Sequence, residues 1–453
     1  MSSDTRDSCE IPAWEGNIDI IIRGGIAITM AGDRETIQNP EISIADGRIV
    51  GIAERGENSL EAGPRTEVID ASDGIILPGL VNSHTHAAMT LFRGMADDLP
   101  LKQWLFDTIF PAEARLLDPE TVYWCSLLGC TEMLASGTTC FADGYFFQDE
   151  TVRSVHESGI RALVAQGLLD FPEPGVRDPK DNMKAARNFI EKWIDFSELV
   201  TPGIFCHSPI TCSANTLKEA WEISSHFDLP LQIHLSETSD EVVEIMQKTG
   251  KRPVHYLDDL GLIGNRLIAA HAVYLDDGEI SCLGEKGGRV VHLPESNMKL
   301  CSGVSRIPDM IRMGVTVGLG TDGAASNNNL DIFQEMDSAA KLSKVFEMDP
   351  VSMNAHTVLK MSTIWGAAVM GLDKLIGSIE IGKRADIIIV DTRSPHLCPI
   401  YDPVSTLVYS ACGADVRDVI VNGQVLIRGK KFTRINLYEV IEKVRKICRN
   451  ITI

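Results

Sequence analysis

The middle of the chain alternates short apolar runs with longer segments whose apolar residues recur every three or four positions. The short runs lie at residues 75–81, 138–143, 162–168, 204–206, 231–235, 267–270, 290–293 and 315–320. Helical patterns between them include residues 121–136, 181–196 and 216–226. Strands that alternate with helices form parallel sheets. Eight such units over about 300 residues predict an α/β fold of the (β/α)8 type, a TIM barrel.

The two ends of the chain have a different texture, in which short apolar runs are separated by Gly, Asp and Asn. These runs lie at residues 19–23, 25–30, 41–44 and 48–52, and again at 386–391, 418–421 and 424–427. The last two flank Asn422-Gly423, a strong signal for a tight hairpin. Two β-rich ends predict one small β-sandwich built from both termini. We predict that residues 1–74 and 378–453 form the sandwich and that residues 75–377 form the barrel.

Composition narrows the class of protein. The 453 residues are 44% hydrophobic and 23% charged, as in ordinary globular proteins. A formal net charge of -21 argues against a nucleic-acid partner, which would need a basic surface. No apolar stretch reaches about 18 residues, and the first 16 residues lack the order of a signal peptide. The 11 cysteines are scattered, which fits thiols in a reducing compartment. We therefore expect a cytoplasmic protein with no membrane partner.

His84 and His86 follow the first apolar run and carry the clearest chemical signal. Alternate side chains of a strand share a face, so both imidazoles point to one side. Neutral imidazole is a good ligand for Zn or Fe. Further polar residues stand at the ends of later runs: His207, His234, Glu237, His271, His292 and Asp322. Catalytic residues of TIM barrels lie at these strand ends, so the set predicts a metal-dependent active site. Five other histidines, His396 among them, fall on helices or loops and are interpreted as structural.

These residues occur in motifs that resemble the amidohydrolase superfamily, in its cytosine-deaminase/chlorohydrolase-like branch. The matching motifs are Pro-Gly-Leu-Val-Asn-Ser-His-Thr-His at residues 78–86, His-Leu-Ser-Glu at 234–237, His271, Thr-Asp-Gly at 321–323 and Gly-Lys-Arg-Ala-Asp at 382–386. The resemblance covers essentially the whole chain. Binuclear members carry a carboxylated lysine at the end of strand 4, where His207 stands here, so the resemblance implies a single metal.

The resemblance assigns the metal to His84, His86, His234 and Asp322. Three nitrogens and one carboxylate leave a position for water, as catalytic zinc sites require. We expect one divalent ion per subunit, Zn²⁺ first, with Fe²⁺, Mn²⁺ or Co²⁺ as alternatives. The same resemblance makes Glu237, His271 and Asp322 catalytic. Glu237 would protonate a ring nitrogen beside the attacked carbon, while His271 and Asp322 would hydrogen-bond the attacking water.

Within this branch, Trp104, Glu113 and residues 207–213 resemble the methylthioadenosine/S-adenosylhomocysteine deaminases. The resemblance implies that Glu113 accepts bonds from the ribose hydroxyls, that Trp104 packs against the nucleoside and that His207 donates to a purine nitrogen. Glu237 and Asp322 would also contact the substrate. Members that accept S-adenosylhomocysteine carry an arginine after strand 3. Gln166 stands at that position, without a charge for the amino-acid carboxylate, and Arg177 in the next loop is a candidate substitute.

We therefore expect hydrolytic deamination of an adenosine-type nucleoside to the inosine analogue and ammonia. We expect 5′-methylthioadenosine, 5′-deoxyadenosine and adenosine to be better substrates than S-adenosylhomocysteine. The nearest alternative is a guanine or 8-oxopurine deaminase or a triazine hydrolase of the same branch. A metal-free interaction protein on the same fold is the rival from another class. Members are often oligomers, so we also expect a homo-oligomer.

Overall fold

A curled parallel sheet forms the centre of the computed structural model, which describes residues 16–32, 35–54, 62–176, 178–449 and 451. Its strands, labelled β1 to β8 in chain order, are Leu80–His86, Thr138–Tyr145, Arg161–Leu168, Val200–Cys206, Leu231–Leu235, Leu267–His271, Arg289–His292 and Thr316–Leu319. Each strand pairs in parallel with the next, and the short strand Asp322–Gly323 pairs back onto β1. The predicted TIM barrel is confirmed.

The barrel strands are buried on both faces, which explains their nearly continuous apolar sequence. Ala142, Leu163 and Ile268 belong to the cluster inside the barrel, whereas Val164 and Ile233 belong to the cluster that contains the helices. Full burial of such a side chain contributes about 1.5–3 kcal/mol to the free energy of unfolding. Because both faces of the strands are packed in this way, the strand ends are held on a rigid scaffold.

The apolar run at residues 75–81 is divided between two sheets, so the prediction of one barrel strand there is wrong. Gly74–Pro78 pairs antiparallel with Ile387–Asp391 in the sandwich, and Leu80 begins β1. At Gly79, between them, an added Cβ would lie 2.0 Å from the Thr139 hydroxyl. Only glycine fits at this crossing. Both halves are fully buried, which is why the sequence shows a single apolar run.

Two sheets form the predicted β-sandwich from both ends of the chain. One has the strand order Arg48–Glu54, Pro40–Ala45, Ile20–Arg23, Glu67–Asp70. The other has the order Lys431–Phe432, Gln424–Arg428, Val416–Val421, Ile387–Asp391, Gly74–Pro78, Ile26–Ile28, Thr36–Gln38. Ile42 and Ile389 pack between them. Asn422 and Gly423 have φ of 50° and 73°, as the predicted hairpin requires. The division into domains stays a prediction, and the pairing favours a boundary at Gly79.

Helices follow the barrel strands and cover the barrel. They are Pro119–Ala135, Gln148–Ser158, Asn182–Trp193, Ala214–Phe227, Ser239–Thr249, Pro253–Asp259, Asp277–Lys286, Pro294–Lys299, Ile307–Arg312, Ile332–Glu347, Ala355–Met361 and Ile364–Val369. The three helices expected at residues 121–136, 181–196 and 216–226 are among them. No helix in the described ranges is long and apolar enough to cross a membrane.

Two helices lie in the C-terminal part of the chain, where no helix was predicted. Pro403–Tyr409 lies between two sandwich strands, and Leu437–Arg449 is the last helix in the described ranges. The second helix packs on Pro119–Ala135 of the barrel through Val444 and through Lys443, whose Nζ lies 5.2 Å from the centre of the Trp124 ring. The C-terminal segment thus contributes to the barrel's outer layer as well as to the sandwich.

A buried ion pair joins the barrel to the sandwich. Arg161, at the start of β3, donates from Nε to Asp386 Oδ2 at 2.8 Å, and both side chains are at most 2% exposed. Asp386 Oδ1 also accepts from the backbone N–H of Asn422 at 2.7 Å, and its carbonyl accepts from Gly79 N at 2.9 Å. Asp386 therefore fixes the crossing at Gly79 from the sandwich side.

Removing one partner of this pair should leave the other charge buried alone. We expect Arg161→Met to lower the free energy of unfolding by about 3–5 kcal/mol, measured by urea denaturation. The matched control is Arg445→Met, which removes an exposed ion pair with Glu442 and should cost about 0–1 kcal/mol. Equal losses in the two variants would contradict the role given to the buried pair.

Candidate active site

Four side chains converge at the carboxyl end of the barrel. His84 and His86 end β1, His234 lies near the end of β5, and Asp322 follows β8. One ligand atom from each lies within 4.8 Å of all the others. His84 Nε2 is 3.2 Å from His234 Nε2, and His86 Nε2 is 3.3 Å from Asp322 Oδ1. The structure thus brings together the four residues predicted as metal ligands.

Neighbouring groups orient His84, His86 and Asp322. His86 Nδ1 lies 2.6 Å from the Gly144 carbonyl oxygen, and His84 Nδ1 lies 3.4 Å from Gln232 Oε1. Metal-binding histidines are commonly held in this way through their second nitrogen. Burial, and then the adjacent His86, lowers the pKa of His84 to about 3, so this ring is in the neutral form that binds metals.

Hydrogen bonds also fix the orientation of the Asp322 carboxylate. Its Oδ2 accepts from Ser296 Oγ and Ser326 Oγ, each at 2.7 Å, so Oδ1 is the atom that faces the histidines. Three imidazole nitrogens and one carboxylate oxygen form the donor set of a catalytic zinc site. The residues therefore fit a divalent cation. This arrangement removes the support for a metal-free interaction protein.

Glu237 and His271 stand beside the four-residue group. Glu237 Oε2 lies 3.7 Å from His271 Nε2, and Ser302 Oγ donates to Glu237 Oε1 at 3.2 Å. His271 Nδ1 lies 2.9 Å from Asn297 Oδ1. Burial raises the pKa of Glu237 above its usual value, which favours the protonated carboxyl that a general acid needs.

Three residues at these strand ends have a left-handed backbone conformation. Ser236, His271 and Asp322 have φ of 52°, 72° and 61°, a region that side-chain-bearing residues adopt at a cost and mainly where surrounding structure imposes it. At Ser236 the Glu241 carboxylate accepts the backbone N–H groups of Ser236 and Glu237, at 2.7 and 2.8 Å. This bond pair fixes the turn that presents Glu237.

A cavity extends from the four-residue group to the helical segment 101–116. Its walls are mainly apolar, with a few polar groups that converge on one space. The lining residues include Trp104, Phe110, Glu113, Tyr145, Phe205, His207, His234, Glu237, His271 and Asp322. A mostly apolar cavity with a few placed polar groups is typical of a small-molecule site.

A π-helical turn aims two residues of this wall at the same space. Trp104–Ile109 is π-helical and lies between the α-helical residues Leu101–Gln103 and Phe110–Leu116. In a regular α-helix, residues nine positions apart lie on opposite faces. The wider turn brings Trp104 and Glu113 to the same cavity.

Glu113 is a buried carboxyl in this apolar wall. Tyr145, at the end of β2, donates its hydroxyl to Glu113 Oε1 at 2.5 Å. Burial raises the pKa of Glu113 to about 7. A buried carboxylate needs hydrogen-bond donors, and Glu113 is placed to find them in a bound molecule.

Of the remaining predicted substrate residues, one lines the active-site cavity and one does not. His207 lines the cavity, with its ring centre 5.0 Å from that of His234. Gln166 does not: it lines a separate cavity on the helix side with Phe147. Ala165 packs inside the barrel, and alternation along the strand sends Gln166 outward. This placement contradicts the prediction that Gln166 contacts substrate. Arg177 lies outside the described residues.

Several orienting residues were not predicted. Gln232 lies two positions before His234, so period-2 alternation could have placed it on the same face. Tyr145 lies beyond the run predicted at residues 138–143, so nothing marked it. Ser296, Asn297, Ser302 and Ser326 come from loops and short helices, where no periodicity marks them.

The chain belongs to the amidohydrolase family, whose model matches residues 75–426. It is 44% identical over 435 residues to 5-methylthioadenosine/S-adenosylhomocysteine deaminase 1 of Syntrophus aciditrophicus, covering 96% of this chain and 98% of that protein. It is 43% identical over 436 residues to 5′-deoxyadenosine deaminase of Methanosarcina barkeri, covering 96% and 98%.

Two solved structures extend the comparison. An adenosine deaminase from Xanthomonas campestris with bound zinc superimposes with a TM-score of 0.93 at 34% identity, covering 96% of this chain and 99% of that one. A zinc complex of atrazine chlorohydrolase from Arthrobacter aurescens has a TM-score of 0.89 at 22% identity, covering 95% and 100%. The second likeness concerns the fold alone.

Metal content should follow the geometry of the four-residue group. We expect His234→Ala, which removes a nitrogen donor, to be purified without bound metal, as measured by elemental analysis. Gln232→Leu keeps all four ligands but removes the contacts of Gln232 with His84 and with the Asp143 carbonyl, and should weaken metal affinity about 10–100-fold, measured by chelator competition. Full metal occupancy in His234→Ala would exclude that residue from the ligand set.

Proposed function

We propose that this protein deaminates adenosine-type nucleosides by hydrolysis, releasing ammonia and the inosine analogue. The observation that carries the proposal is one cavity with a metal-binding group at one side and the buried pair Glu113–Tyr145 at another. The metal-binding group suits attack on the amine-bearing carbon of an aromatic ring, and the Glu113–Tyr145 pair suits the binding of a ribose diol. Relatives at 43–44% identity are named for substrates that share adenosine and differ at the 5′ position, which supports the same class here.

We propose that His84, His86, His234 and Asp322 hold one divalent cation, with Zn²⁺ first. When bound, such a cation supplies Lewis acidity that makes water a nucleophile near neutral pH. The zinc in the related adenosine deaminase structure supports this choice. Asp322 is oriented for this role by its two serine hydroxyls.

The protein's own residues then move the protons. Glu237 protonates the purine ring nitrogen beside the amine-bearing carbon, which makes that carbon electrophilic. His271 and Asp322 hydrogen-bond the attacking water, the Asp322 carboxylate as an acceptor, and Asp322 takes one of the water's protons. The hydroxyl adds to the carbon, Asp322 passes its proton to the amine, and the C–N bond breaks to release ammonia. The proton of the added hydroxyl returns to Glu237 as the carbonyl of the inosine analogue forms.

Glu113 and its neighbours select the nucleoside. The Glu113 carboxylate accepts the ribose 2′- and 3′-hydroxyls, and the Tyr145 bond to Oε1 fixes its orientation. Trp104 packs against the nucleoside. His207 is held by Thr211, whose Oγ1 lies 3.0 Å from Nδ1, and presents its other nitrogen to the purine.

The 5′ substituent has a wider groove to occupy. This groove shares Leu101, Leu105 and Leu300 with the cavity and carries the acidic side chains Asp98, Asp240 and Glu244. Its two lysines are Lys102 and Lys299, and Lys299 Nζ is engaged by Asp97 at 2.7 Å. We propose that a 5′ carboxylate is disfavoured there, so S-adenosylhomocysteine is the poorer substrate. This groove replaces Gln166 as the basis of that preference.

The oligomeric state and the cellular location of the enzyme are proposed from the sequence alone. We propose a homo-oligomer and a cytoplasmic location, as the chain's family resemblance, composition and cysteine usage favour. Sedimentation of the purified protein tests the first, and fractionation of the source cells tests the second.

An ammonia-release assay tests the proposed substrate class. We expect 5′-methylthioadenosine, 5′-deoxyadenosine and adenosine to be deaminated, with a lower kcat/KM for S-adenosylhomocysteine. Equal or higher kcat/KM for S-adenosylhomocysteine would overturn the proposed preference. Faster turnover of guanine, an 8-oxopurine or a triazine than of any nucleoside would overturn the function.

Glu113→Gln should separate ribose recognition from chemistry. Replacing the carboxylate by an amide weakens two charge-assisted bonds, so we expect kcat/KM for adenosine to fall about 100-fold. Metal content and the slower activity on free adenine should stay unchanged. Glu120→Gln, at an exposed glutamate nearby, is the matched control. Equal losses on adenosine and adenine would show that Glu113 does not recognise ribose.

Glu237→Gln should remove the acid while keeping the shape of the site. We expect kcat to fall about 10²–10⁴-fold, with bound metal retained. Elemental analysis beside steady-state kinetics makes the distinction, because loss of metal in this variant would point to a ligand role instead.

A further inference from the structure

A second cluster of potential metal ligands lies in the sandwich part of the protein. His396, Cys412 and Asp415 each offer one ligand atom, and these atoms lie within 4.8 Å of one another. His396 Nε2 is 2.8 Å from Asp415 Oδ2, and Cys412 Sγ is 3.3 Å from the same oxygen. The residues that line the active-site cavity within the described ranges do not include these three.

We propose that His396, Cys412 and Asp415 form a binding site for a thiophilic divalent cation, with Zn²⁺ as the first candidate. Tetrahedral zinc with bonds of about 2.0–2.3 Å holds its ligand atoms about 3.3–3.7 Å apart. The distances of 2.8 Å and 3.3 Å from Asp415 Oδ2 to His396 Nε2 and Cys412 Sγ need to lengthen by about 0.2–0.7 Å to meet that geometry. One nitrogen, one sulfur and one oxygen suit a borderline-soft ion, and water can complete the shell.

The cluster combines a fixed ligand with an accessible one. The Asp415 side chain is only 4% exposed, and its Oδ1 accepts from Ser394 Oγ at 3.0 Å. Such a bond to a ligating carboxylate orients it toward the metal. The His396 side chain is 48% exposed, which gives an ion a path from solvent.

The same carboxylate also closes a turn. Asp415 Oδ2 accepts the backbone N–H of Cys412 at 3.0 Å, as a side chain that caps the turn Gly413–Asp415 does. The capping box uses Asp415 and a side-chain acceptor at Cys412, which a serine hydroxyl would supply as well as a thiol, and it does not need an imidazole at His396. The distinguishing property of a metal site is therefore direct bonding to sulfur and to the ring.

A cation here would tie together parts that are distant along the chain. His396 follows the sandwich strand Ile387–Asp391, and Asp415 precedes its neighbour Val416–Val421. Gly413 N donates to Asp331 Oδ2 at 3.0 Å, at the start of a barrel helix. Because binding to the folded state alone stabilises it, an ion at this place should raise the melting temperature.

Cobalt spectroscopy tests the proposal independently of deamination. The catalytic site of the purified protein is first filled with Zn²⁺, and Co²⁺ is then titrated. A near-ultraviolet thiolate-to-cobalt charge-transfer band reports sulfur ligation, and the catalytic group contains no cysteine. We expect this band to grow to one equivalent per chain and the melting temperature to rise with added Zn²⁺.

Three variants assign the band to the cluster. We expect it to be lost in Cys412→Ser and lost or strongly weakened in His396→Gln. It should persist in Cys398→Ser, at an exposed cysteine two residues from His396. Deaminase activity should be the same in all three.

Two results would overturn the proposal. One is the absence of a charge-transfer band in the wild type, and the other is a band that survives in both Cys412→Ser and His396→Gln. Either result would leave Asp415 as a turn cap only. His396 is exposed, so His396→Gln keeps the test decisive if Cys412→Ser does not fold.

Discussion

Three imidazoles and one carboxylate buried against each other are the constraint on which the active end of this barrel depends. The Nε2 atoms of His84 and His234 face each other at 3.2 Å, so both rings direct a nitrogen to the same point. The surrounding hydrogen bonds hold this arrangement. Gly144 and Gln232 orient the rings, and two serines orient the carboxylate. The site is prepared for a cation by the fold.

Asp143 shows how deeply that preparation extends into the barrel. Its carboxylate accepts from the backbone N–H of Ala87 at 2.6 Å and from Gln148 Nε2 at 2.7 Å. Its backbone carbonyl accepts from Gln232 Nε2 at 3.2 Å, and Gln232 in turn faces His84. One residue on β2 thus links the ends of β1 and β5. The catalytic strand ends are mutually braced, so a change at one of them is felt at the others.

The barrel and the ligand set could be predicted because their signals are local and repeated. Eight buried strands recur with polar ends, and His84-x-His86 shares a face by strand geometry alone. The prediction for Gln166 failed because it used the residue's position in the motif without considering which face of the strand the side chain lies on. One step along a strand turns a side chain from the cavity to the helices. Ser296 and Ser326 could not be found because contacts between loops leave no periodic trace in the sequence. The group of His396, Cys412 and Asp415 is hidden for the same reason.

Gly79 gives the two parts of the molecule an unusually direct connection. Five positions separate it from His84, and the chain between them is fully buried strand. No flexible linker absorbs a displacement of the sandwich before it reaches the first ligand. The terminal sheets therefore help to position the first metal ligands. Exchanging or trimming these sheets would change the geometry of the catalytic centre, even with every residue of the cavity left in place.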